Sequence, residues 1–197
     1  MSAAVGPVAG RPRLVVYVPH FLTISMTFIY RQLLGVGGEF ETSVLTTRTE
    51  HLDRFPFEPV RVRPRGTLDR LACGCRNRLQ GSLRSVGPLQ RRGLAADLRA
   101  MRADLVHAHF GPAGLDVLPV VRELGIPLVV TFHGYDASSL LRNRTYVRDL
   151  GPLFDHSHVI AISRRMAARL RELGAREEAI DHHYIGVPLD AFPFVER

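Results

Sequence analysis

Short runs of branched apolar residues recur along this chain, each stopped by a polar or glycine-containing turn. The stretches between them space their apolar residues as helices do. Leu14-Val15-Val16-Tyr17-Val18 ends at Pro19-His20 and reads as a first strand buried on both faces. Further strands are expected at 42–46 and 60–62, parted by a polar loop with Pro56 and Pro59, then at 104–109, 128–132, 159–162 and 183–185. A helix should open near Ser25 or Thr27, either of which suits the N-cap, with Phe28, Ile29, Gln32 and Leu33 on one face and Gly35 to Gly38 as its stop. Residues 68–101 read as two or three short helices divided by Gly81, Gly87-Pro88 and Gly93. In the helix near 114–124, Pro119 either kinks the chain or moves the true start to Asp116. A helical segment is expected from Asp136 to about Leu150, closed by Gly151-Pro152, and another after Ser163, with Met166, Leu170 and Leu173 on one face before Gly174. Such alternation predicts an α/β fold, a doubly wound and mostly parallel, Rossmann-like sheet with right-handed crossovers.

Composition adds bounds. The chain has 197 residues, 46% hydrophobic and 23% charged, which suits one ordinary globular domain. No apolar run is long enough for a bilayer span, and residues 1–12 lack the apolar core of a signal peptide, so they read as a flexible tail and the protein as cytoplasmic. Cys73 and Cys75, the two cysteines, are too close for an easy disulfide and have no second pair to complete a zinc site; they read as free thiols. Charge is localised. Eleven Arg stand against Asp69 and Asp97 between Arg61 and Arg102, whereas the whole chain is only +7. This stretch is either a solvated face or a contact for an anionic membrane surface. Nucleic acid is disfavoured, because no aromatic residue is interleaved there.

Chemistry gathers at the strand ends. Leu128-Val129-Val130-Thr131-Phe132 runs straight into His133-Gly134-Tyr135-Asp136, and ligands of open α/β sheets bind beyond the carboxyl ends of the strands. His133 and Asp136 are therefore candidates for contact with a substrate, with a loop histidine and a helix-capping aspartate as the plainer alternative. Gly134 would allow close backbone approach or a positive φ. His107 and His109 are two apart on a strand and so share a side. A His-x-His pair invites a metal, but no third ligand stands at a telling spacing; a ligand-contacting His109 and plain structural bonding are the other readings. The loop after the first strand leads into a helix N-terminus, a natural anion site, and lacks the G-x-G-x-x-G of a dinucleotide cradle.

These landmarks, in order, resemble glycosyltransferase family 4: Ile24-Ser25-Met26-Thr27-Phe28-Ile29, His107-Ala108-His109-Phe110-Gly111-Pro112, Thr131-Phe132-His133-Gly134-Tyr135-Asp136, Ile162-Ser163, and Gly186-Val187-Pro188-Leu189-Asp190-Ala191-Phe192. The resemblance is greatest to bacterial enzymes that build exopolysaccharide and capsule. It implies the N-terminal, acceptor-side half of a GT-B fold over residues 13–190, with 191–197 starting an interdomain linker. A donor domain holding the nucleotide-sugar would lie beyond, so a truncated or split enzyme that is inactive alone is expected. A non-catalytic membrane- or partner-binding module is the other reading. By the same resemblance His133 sits beside the transferred sugar as the catalytic-site residue, and Asp136 orients that loop or the acceptor. Ser25 and Thr27 line the acceptor side, His109 and Gly111 form the neighbouring wall, and Gly134 and Ser163 complete the binding set. Met26 departs from the family's usual Glu. The resemblance implies transfer with retention, no metal or cofactor, a nucleotide-sugar as co-substrate, and a lipid-linked or polysaccharide acceptor at the inner face of the cell membrane. An uncovered cleft wall around Phe192 and Phe194 would favour self-association.

Overall fold

The computed structural model describes residues 10–80 and 86–186. Strand β1 (Arg13–Tyr17) starts a seven-stranded, wholly parallel sheet that also holds β3 (Glu41–Thr46), β5 (Val60–Val62), β6 (Leu105–His109), β7 (Leu128–Phe132), β8 (Ser157–Ala161) and β9 (Ile180–His182). Two two-residue strands, β2 (His20–Phe21) and β4 (Arg48–Thr49), form a separate ladder just past the ends of β1 and β3. The order β5-β3-β1-β6-β7-β8-β9 reverses direction between β1 and β6. In open α/β sheets ligands bind beyond the carboxyl ends of the strands beside such a reversal.

Alternation along β1 divides the core. Val15 and Tyr17 join α3 (Pro88–Ala100), α4 (Gly111–Leu124), α5 (Arg144–Phe154) and α6 (Arg164–Glu172) on one face of the sheet. Leu14, Val16 and Val18 join Ile29 and Leu33 of α1 (Thr27–Val36) on the other. With four helices on one face and α1 over β1 on the other, β8 is buried only at alternate positions, and Ile160 remains half-exposed.

Four expectations need correction. Neither Ser25 nor Thr27 caps α1: Ser25 lies in a 3-10 turn (Ile24–Met26), Thr27 is the first helical residue, and Met26 holds the N-cap position with no side-chain bond. The final strand is β9, three residues earlier than 183–185. A 3-10 turn (Glu177–Ala179) leads straight into pairing of Ile180 with Val159, and an edge strand needs no apolar run. The segment after Asp136 is not one helix. Two 3-10 turns (Tyr135–Ala137, Ser139–Arg142) precede α5, which Asn143 caps by accepting the Tyr146 N–H at 3.0 Å. α5 then runs through Gly151-Pro152, held by buried Leu153 and Phe154. Likewise α4 starts at Gly111, with Pro119 inside it.

The broken helical region resolves into α2 (Thr67–Gln80) and α3; Gly87 and Pro88 open α3, while Gly93 lies within it. A Cβ at Gly93 would stand 2.5 Å from the Arg63 guanidinium, which pairs with Asp97 together with Arg61 (2.7 Å). Arg91 and Arg99 lie 3.4 Å from Glu123, so part of the basic stretch is internally paired. Cys73 is buried and Cys75 exposed, and neither is in a disulfide. Gly81, residues 187–197 with Phe192 and Phe194, and most of the N-terminal tail lie outside the described residues.

Candidate functional site at the carboxyl edge of the sheet

Strands β6 and β7 pair with His109 opposite Thr131 and end on the same rim. After His109 the chain turns at Phe110, whose φ of +75 is rare for a bulky residue, and enters α4. Phe110 N–H bonds Thr131 O at 2.8 Å, which holds the turn to the neighbouring strand. After Phe132 the chain passes His133 and Gly134, whose φ of +133 suits glycine.

Asp136 ties the two turns together. It is fully buried and accepts backbone N–H bonds from Gly111 (3.0 Å), His133 (3.0 Å) and Gly134 (2.8 Å). Burial pushes its carboxyl above the ordinary value, against those three donors, which favour the carboxylate. Tyr146 of α5 donates its hydroxyl to Asp136 O at 2.9 Å. Gly111 makes room for that hydroxyl: a Cβ there would stand 2.1 Å from it. Asp136 thus braces the loop from a fully buried position.

On the α1 side three imidazoles lie in a row. His107 Nε2 bonds Thr131 Oγ1 at 2.7 Å, the His107 and His109 rings are 4.4 Å apart, and His109 Nδ1 meets His133 Nε2 at 3.0 Å. Phe28 of α1 and Phe110 hold His133 from two sides, at 4.8 and 4.5 Å between ring centres. His109 is wholly buried, so it supports the wall rather than forming its surface. His109 Nε2 and His133 Nδ1 are buried without a protein partner. Burial lowers all three rings: His107 to about 4, His133 to about 3, and His109 well below the ordinary value, with neighbouring imidazoles adding to the last two. All are neutral at pH 7, each with one donor and one acceptor nitrogen. Among the described residues, no three His, Cys, Asp or Glu are grouped to hold a metal ion.

The loop separates two grooves. An apolar one of about 610 Å³ is lined by Phe28, Leu34, His133, Ile160, Ile162 and Tyr184. A polar one of about 860 Å³ is lined by Gly134, Ser138, Ser139, Arg142, Ser163 and Arg165. Another cavity, of about 840 Å³ beside Arg13, Glu41 and Arg102, lies at the strand starts, the end opposite the histidines.

His109, Gly111, His133, Gly134 and Asp136 therefore form one connected group. Ser163 caps α6 by accepting the Met166 N–H at 3.1 Å and lines the polar groove beside Gly134. Thr27 is half-buried next to Phe28, and Ser25 is exposed one turn earlier; neither bonds to the histidine group. Residues the sequence did not single out are Tyr146 and Tyr184. Phe28, Phe110 and Thr131 stand within quoted motifs but without a site role.

A parallel α/β half-unit with its chemistry at the switch-point rim is the architecture of a GT-B domain. The family model for Glycosyltransferase Family 4 matches residues 39–191, and the chain belongs to that family. It is 36% identical over 95 residues to WcaL of Escherichia coli (strain K12), a glycosyltransferase named for colanic acid biosynthesis, a match that covers 46% of this chain and 23% of WcaL. Among solved structures, Anabaena Alr3699/HepE in complex with UDP superposes with a TM-score of 0.65 at 14% identity, over 90% of this chain and 45% of HepE. Sucrose-phosphate synthase (tll1590) from Thermosynechococcus elongatus gives 0.64 at 16%, over 94% and 51%. The chain thus spans a quarter of WcaL and about half of these structures, and at such identities the superpositions establish the fold alone.

Proposed function

We propose that this chain is the acceptor-side wall of a retaining glycosyltransferase, moving a sugar from a nucleotide-sugar onto a lipid-linked or polysaccharide acceptor. The observation that carries the reading is the His133 loop, set at the sheet's carboxyl rim between two grooves and braced by Asp136 through three backbone N–H bonds. Support for the substrate class comes from HepE, which has been crystallised with UDP and glucose, and from WcaL, named for colanic acid biosynthesis. His133 meets a hydroxyl of the transferred sugar through its ring or backbone, and Gly134 lets the sugar come close. Gly111 and the first turn of α4 form the adjoining wall, with Ser25 and Thr27 toward the acceptor and Ser163 at the polar groove. Departure of the diphosphate on the same face as acceptor attack gives retention without a protein nucleophile, and the leaving charge is stabilised by a donor-side domain. The reading needs no metal or cofactor from this chain.

The partner surface is an anionic membrane, reached from the cytoplasmic side through the basic stretch between Arg61 and Arg102. Support comes from α2, where Leu68, Leu71 and Leu79 are exposed on one side and Asp69 and Cys73 are buried on the other. Arg70 and Arg78 are exposed on the same helix. The same surface favours the second reading, a membrane-binding module without turnover.

A chimera tests the reading: residues 13–186 replace the matching segment of WcaL, and label from a nucleotide-sugar is followed into lipid-linked product. Transfer should appear in the chimera, fall at least a hundredfold with His133→Ala, and be absent from the 197-residue chain alone. Robust transfer by the chain alone, or a chimera indifferent to His133→Ala, contradicts the proposal.

A further inference from the structure

The facing imidazoles of His109 and His133 deepen this reading, and rest on it for the identity of the ligand. Their nitrogens Nδ1 and Nε2 lie 3.0 Å apart. A neutral imidazole has a single N–H, so one hydrogen bond between them leaves two arrangements. In the first, His133 donates from Nε2 and His109 carries its own proton on Nε2. In the second, His109 donates from Nδ1 and His133 carries its own proton on Nδ1. Both rings are therefore Nε2–H, or both are Nδ1–H. The two outer nitrogens, His109 Nε2 and His133 Nδ1, have opposite character in either case, one N–H and one lone pair, and both are buried without a protein partner.

We propose that His109 is a positioning residue: through this shared tautomer it decides whether Nδ1 of His133, whose ring lines the apolar groove, is a donor or an acceptor. The surroundings hold the pair in register. His107 lies 4.4 Å from the His109 ring and is itself pinned by Thr131 Oγ1, while Phe28 and Phe110 flank His133. Gln32, His107 and His109 line a cavity of about 30 Å³ beneath α1, the size of one water. An amide side chain or a water there can accept from His109 Nε2 or donate to it. What occupies this cavity is thus relayed to His133 Nδ1 on the other side of the pair. His109 has no exposed surface, so it exerts this control without touching the ligand.

The test is a long-range proton–nitrogen correlation of the imidazoles in the 15N-histidine-labelled 197-residue chain at pH 7. His109 and His133 should each be neutral, each in a single tautomer, and both of the same kind. In His109→Asn, whose amide takes the place of Nδ1, His133 should stay in one tautomer. In His109→Leu its two nitrogen resonances should draw together as the tautomers average. Rings of opposite kind, a charged ring, or a His133 signal unchanged in His109→Leu would overturn the proposal. Glucose and UDP-glucose are then added to the parent chain. A same-kind pair that neither perturbs upholds the pairing and removes the sugar from His133, so the two ideas fail separately.

Discussion

The three buried histidines make acid the sharpest probe at the residue scale. Folding lowers their pKa values, so between the ordinary value near 6.5 and the folded value the unfolded chain binds protons that the native chain does not. Stability therefore rises with pH across this window and is lost as pH falls below 6.5. For His107, pushed down to about 4, the loss is about 2 kcal/mol at pH 5 and about 3 kcal/mol by pH 4. The urea midpoint should fall steadily from pH 7 to pH 4.5, and His107→Gln, which removes one titrating ring, should flatten the slope. A midpoint independent of pH over that range would contradict the burial of these rings. The residue types at the site were legible from position alone: a histidine ending an apolar run, followed by Gly134 and Asp136. Their pairing was not. The His109–His133 bond joins positions 24 apart in the chain, and it exists because β6 and β7 end level on the rim.

At the scale of elements, contact between α4 and the loop depends on a missing side chain. Gly111→Ala would drive a methyl into the Tyr146 hydroxyl and the Phe132 ring, at 2.1 and 2.8 Å, and should cost about 1–3 kcal/mol by urea unfolding. Gly74→Ala is the counterpart: nothing lies within 4 Å of its Cβ position, so it should stabilise α2 by about 0.5–1 kcal/mol. Equal effects of the two would refute the packing described for Gly111. Elements with long apolar runs were read correctly because a strand buried on both faces has little polar sequence to confuse it. β9 was misplaced because Ile180, Asp181 and His182 form an edge with two exposed positions, while the more apolar Tyr184 and Ile185 leave the sheet to line the groove. Tyr146 was invisible for another reason: its bond to Asp136 O depends on where α5 docks, and Asn143 sets that helix start seven residues after the aspartate.

At the scale of the whole molecule, the rim histidines and the outward face of α2 are separate surfaces. If α2 meets lipid, the chain should co-sediment with vesicles containing anionic lipid at low salt and release as ionic strength rises, since the Arg contribution is screened. Replacing Leu68, Leu71 and Leu79 with Ser should weaken binding at least tenfold and leave the urea midpoint nearly unchanged, because all three are exposed. Binding unaffected by these changes, or equal on neutral vesicles, would assign that face to solvent alone. The central claim concerns the other surface. Amide chemical-shift mapping of the chain with an acceptor oligosaccharide should move resonances of Phe28, Phe110, His133 and Gly134 together and spare Arg13, Arg61 and Arg102 at the opposite edge. Shifts confined to that opposite edge, or none at saturating sugar, would contradict the account.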